Sequence, residues 1–85
     1  MRDITTDIVT RYINRWDPMQ LLAGGAPDDE YDTEVEQIVE AVLESKDEIE
    51  IAEAIQDTFK FTFQRDFSFV ECLSIARFIW KNLYE

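Results

Sequence analysis

Apolar residues recur every three to four positions along most of this chain, and the phase of that recurrence marks off four segments. Ile4, Ile8, Val9, Tyr12, Ile13 and Trp16 line one side of the first, with Thr6, Asp7, Thr10, Arg11 and Asn14 opposite. This is the spacing of an amphipathic helix with one face turned to a core. The second segment places Val35, Ile38, Val39, Val42 and Leu43 against Glu36, Gln37, Glu40 and Glu44. In the third, Ile51, Ala52, Ile55, Thr58, Phe59 and Phe63 form the inward arc, which leaves Ile49 out of phase among Glu50, Glu53 and Asp57 and therefore partly exposed. In the fourth, Phe69, Cys72, Leu73, Ile75, Ala76, Ile79, Trp80 and Leu83 cover a wide face, while Phe78 points away with Glu71, Ser74 and Asn82.

The breaks between segments are also written in the sequence. All the glycines and prolines, Pro18, Gly24, Gly25 and Pro27, precede Asp28, so the remaining 58 residues contain no strong helix breaker. A Ser, Thr or Asp followed three residues later by Glu or Gln can satisfy two orphan backbone donors at a helix start. Four such pairs occur: Asp17 with Gln20, Thr33 with Glu36, Ser45 with Glu48, and Ser68 with Glu71. The predicted helices run near 4–15, 33–44, 46–63 and 69–83, with a short one near 18–23 opened by Pro18 and closed by Gly24 or Gly25. The run Phe59-Lys60-Phe61-Thr62-Phe63 alternates as a strand would, but a lone strand has no partner elsewhere, so it is read as helix. The expectation is an all-α fold: a single domain over residues 1–85, built as a compact bundle of four main helices plus one short helix.

Eighty-five residues bury only about 60 to 65% of the surface that the unfolded chain exposes, and eleven aromatics are a large apolar load for so short a chain. A homodimer is one way to cover it. The start of the chain has no apolar stretch behind a basic one, and nowhere is there a run of roughly 20 apolar residues, so a soluble cytoplasmic protein is expected. The single cysteine agrees with a reducing compartment. With no histidine, Cys/His zinc sites, Ser-His-Asp triads and imidazole acid-base chemistry are excluded. No cofactor is implied, and the expectation is that the protein is not an enzyme.

Charge changes the picture more than composition does. Of the net charge of -11, residues 28–57 account for more than the whole, with thirteen Asp and Glu against the single base Lys46. Nucleic acid and anionic membranes both need a basic footprint and are not expected as partners. The segment from Gly24 to Glu34 is the leading candidate for function, because carboxylates gathered on a loop can receive a basic partner or hold a hard cation. Asp28, Asp29, Glu30, Asp32 and Glu34 are its candidate residues, with Glu36, Glu40 and Glu44 continuing the surface. The plainer reading is that these acids favour a helix N-terminus through its dipole and that the rest form a solvated face. The pattern lacks the glycine and distant Glu of a calcium hand. Cys72 lies at the centre of an apolar arc with nothing to activate it and is read as core, as is Trp16. Phe78 and Ile49 are the apolar residues most suggestive of a contact surface.

Trp16-Asp17-Pro18, Gly25-Ala26-Pro27 and Asp29-Glu30-Tyr31-Asp32 together resemble the YugE-like family of small bacterial proteins, known chiefly from Bacillus and its relatives. The similarity covers roughly Tyr12 to Ile79. It implies an all-helical fold in a bacterial cytoplasm and supplies no catalytic residues, since the family is itself a domain of unknown function. The preferred reading is a small acidic bundle acting through protein contact with a basic partner, an immunity or inhibitor type of protein being one form of it. The rival is a carboxylate-based divalent-cation protein or enzyme that draws on the acidic loop and Tyr31.

Overall fold

Four helices form where the periodicity places them: α1 (Arg2–Trp16), α2 (Asp32–Glu44), α3 (Glu48–Phe63) and α4 (Phe69–Tyr84). They come from a computed structural model that describes residues 2–26 and 30–84. Successive helices pack on one another and α4 closes the ring onto α1, while α1 and α3, and α2 and α4, sit diagonally. Trp16 at the end of α1 meets Phe67 just before α4, whereas Tyr12 meets Phe78 and Asn82 further along it, so those two helices are antiparallel. The short connections 45–47 and 64–68 make hairpins of α2–α3 and α3–α4, and the result is an up-down-up-down bundle. The Cα radius of gyration, 11.7 Å, is that of a compact chain of this length, about 12 Å.

The core is made by the expected stripes. Val9 and Ile13 of α1, Val35, Ile38, Val39 and Val42 of α2, Ile51, Ala52, Ile55 and Phe59 of α3, and Cys72, Ala76 and Ile79 of α4 are buried. Ile4 is the exception in α1: it is 60% exposed, because the stripe enters through Thr5, Val9 and Ile13, four residues apart, and Thr5 takes the buried place. Leu43 and Phe69, expected inside, lie at the rim with more than a third of their surface exposed. Ile49 and Phe78 are half exposed, as their phase requires. The ambiguous run at 59–63 is helical: Phe59 and Phe63 stack toward the core with centroids 5.7 Å apart, and Phe61, two residues round the helix, is 80% exposed.

The short helix expected near 18–23 is replaced by a series of turns. Asp17 and Gln20 both adopt left-handed backbone, with φ of 47° and 55°, and a single such residue is enough to end a right-handed helix. Gly25, at φ 100°, occupies a conformation where a side chain would be strained. Two of the anticipated caps also move. Tyr31, not Thr33, is the N-cap of α2 and gives no side-chain cap. Ser45 closes α2, its hydroxyl donating to the Ala41 carbonyl at 2.6 Å, and Asp47 opens α3 by accepting from the Glu50 N–H at 3.0 Å. Glu50 in turn accepts from the Lys46 N–H at 2.7 Å, so Asp47 and Glu50 together hold the start of α3, with the Glu50 carboxylate reaching one residue beyond the N-cap of an ordinary capping box.

Candidate functional site

The acidic residues divide by the helix geometry of α2. Val35, Ile38, Val39 and Val42 turn inward, which sends Glu36, Glu40 and Glu44 outward along one ridge, each exposed. Gln37, Glu40, Ala41, Leu43 and Glu44 line a shallow hollow on this face, so an apolar Leu43 stands among the carboxylates. Glu30 and Asp32 are exposed at the entry to the helix. Glu34 is not part of that surface: it is buried in the first turn of α2. Desolvation pushes its carboxyl above the ordinary Glu range, and the charges of Glu30 and Asp32 push the same way. Asp28 and Asp29 lie outside the described residues. On α3, Glu50, Glu53 and Asp57 are exposed, but Glu50 is engaged in the cap, and Glu48 approaches Arg77 at 3.7 Å. Among the described residues no group of three or more carboxylates or thiols is placed to hold a metal ion.

A second constellation stands at the end of the bundle where α1 stops. The Tyr31 hydroxyl donates to Asp17 Oδ1 at 2.6 Å and accepts from the Met19 N–H at 3.2 Å. Asp17 also accepts from the backbone of Leu22 at 3.2 Å and Ala23 at 2.9 Å. One carboxylate therefore organises the start of the α1–α2 connection and joins it to its far end. Desolvation works to raise the Asp17 carboxyl, but the bonds from Tyr31, Ala23 and Leu22 outweigh it and hold the group below the usual Asp range. Burial, and then the bond to Asp17, push the Tyr31 phenol up to about 12. The Tyr31 ring sits in an aromatic cluster, 5.8 Å from Phe59 and 6.3 Å from Phe63, with Trp16 and Phe67 packed edge-on against Phe59.

Chemically this constellation is a clasp. The phenol is neutral and its proton is committed to Asp17, so it is poorly placed for acid-base work near neutral pH. The Cys72 thiol is buried and pushed up to about 11, first by burial and then by Glu71, which favours the protonated thiol near neutral pH. The Asp17–Tyr31 pairing was not apparent from sequence periodicity. Its one visible signal was Asp17 in the Trp-Asp-Pro turn with Tyr31 as the lone aromatic inside the acidic run.

The chain belongs to the family described as a domain of unknown function, DUF1871, which matches residues 8–81. No curated protein and no solved structure matches it. Among the described residues, no helix is long and apolar enough to cross a membrane.

Proposed function

We propose that this protein is a non-enzymatic bundle that works through protein contact, receiving a basic surface on the outer face of α2. The observation that carries the reading is the ridge of Glu36, Glu40 and Glu44 with Leu43 half-seated beside it. Carboxylates give such a face its reach and orientation toward a basic partner, and an apolar residue at its centre supplies contact area that water does not compete for. An inhibitor or immunity type of role, covering a basic site on another protein, is the form of this reading that best suits the small size and the charge. The Trp16-Asp17-Pro18 turn and the Asp29-Glu30-Tyr31-Asp32 segment support grouping the chain with the YugE-like bacterial proteins, and a single, buried cysteine suits a cytoplasmic setting.

The test is capture from a bacterial lysate by the wild-type chain and by a Glu36→Lys, Glu40→Lys, Glu44→Lys variant, at low and high salt. A basic protein retained by the wild type, released by salt and missed by the variant is expected. Retention that neither salt nor the charge reversal alters overturns the reading.

A further inference from the structure

The helices of the ring are sharply polarised. α2 and α3 hold nine acids and one base, whereas α1 and α4 hold five bases and three acids. On the α1–α4 side Arg15, Arg77 and Lys81 lie near aromatic rings. Tyr12 and Phe78 stack at 5.4 Å and within 9° of parallel, with the Arg15 guanidinium 5.8 Å over the Tyr12 ring. Asn82 donates to the Tyr12 hydroxyl at 2.9 Å. Next to this pair lies an open hollow lined by Glu48, Ser74, Arg77, Phe78, Trp80 and Lys81. Arg77 leans toward Glu48, but Lys81 makes no ion pair among the described residues, and Phe78 is half exposed.

We infer that this hollow on α4 takes the outer face of α2 from a second copy of the chain. The two surfaces are complementary in charge and both carry exposed apolar area: the α2 face has the partly exposed Leu43 flanked by Glu40 and Glu44, and the hollow has Phe78 and Trp80 flanked by Lys81 and Arg77. The inference rests on the reading of α2 as a face that receives basic surface, and adds the basic hollow of a second copy to what that face takes. Because α2 and α4 stand at opposite corners of the ring, one copy presents the acidic face on one side and the basic hollow on the other. Such a contact is heterologous: it leaves a free acidic face and a free hollow on every pair and adds further copies head to tail. The patches are small, which puts the contact among weak interfaces burying less than about 1,200 Å². The net charge of -11 opposes it until salt screens the repulsion, whose reach falls to about 8 Å at physiological ionic strength.

Sedimentation and light scattering over a concentration series up to about 1 mM, near 0.15 M salt, test this for four chains. They are the wild type, Glu44→Lys, Lys81→Glu, and the chain carrying both changes, each checked for native helicity by circular dichroism. The wild-type mass should rise with concentration past that of a dimer. Each single reversal should weaken association about tenfold or more, and the double reversal should recover it, since each contact then regains opposite charges. A wild type that stays monomeric, a mass that stops at the dimer, or a double variant no better than the singles overturns the inference. A labelled oligolysine peptide keeps the two readings apart: binding to the wild type that is lost in Glu44→Lys retains the basic-partner reading even when self-association fails.

Discussion

Removing one oxygen, by Tyr31→Phe, leaves the Met19 N–H without its acceptor and Asp17 without its shortest donor. The expected loss is about 1–2 kcal/mol, read as a fall in melting temperature of several degrees. Its pH dependence is specific. Asp17 is held below its unfolded value, so its contribution is present above that value and is lost as pH falls through the folded one. Tyr31 is raised to about 12, so its contribution is present below its ordinary value of 10.0 and is lost as pH climbs toward about 12. The difference between wild type and variant should be flat from roughly pH 5 to 9 and shrink at both ends. Glu34 behaves oppositely to Asp17. Its raised carboxyl favours the fold below its unfolded value and loses that advantage as pH rises through the folded one. Glu34→Gln should therefore raise the melting temperature at pH 7 and confer no such gain near pH 4. Neither residue's role was legible in the sequence. Tyr31 meets a partner fourteen positions away, beyond the reach of any helical period, and Glu34 looks like every other carboxylate in its run until the helix turns it inward.

At the scale of the helix, phase decides what an aromatic is worth. Phe59 is fully buried and Phe61 is 80% exposed. Phe59→Ala should cost about 3–5 kcal/mol, while Phe61→Ser should change stability by no more than about 0.5 kcal/mol, a contrast that two urea titrations settle. Had the segment been a strand, Phe59 and Phe61 would share one face and respond alike. The four long helices were legible because each carries a stripe several turns long, and their observed limits depart from the expected ones by at most two residues. Two of the caps and the 18–25 turns were not, for a common reason. The Ser45–Glu48 and Asp47–Glu50 pairs have the same spacing, and only the fold decides that Ser45 belongs to the helix before it. Likewise Asp17 with Gln20 has the pattern of a helix start, yet the carboxylate is drawn off to Tyr31 and to backbone donors five and six residues ahead.

For the molecule as a whole, the sequence tells how much charge there is, and the ring of helices tells where it goes. Because the acidic helices α2 and α3 are neighbours in that ring, their carboxylates repel one another across the packed pair as well as along each helix. The melting temperature should accordingly rise with sodium chloride between about 0.01 and 0.15 M, as the Debye length falls from about 30 to 8 Å. Magnesium at matched ionic strength should give the same rise, and an additional specific increase would instead point to a cation held at the acidic loop. The Asp17–Tyr31 clasp has a practical consequence at this scale. It gathers the two ends of the α1–α2 connection, so the bundle does not depend on the length of chain between them. Doubling a loop already closed in this way adds only about 0.6 kcal/mol of closure entropy. A tag or reporter peptide spliced in after Ala26 should leave the four helices assembled, which makes that connection the place to put a handle on this protein.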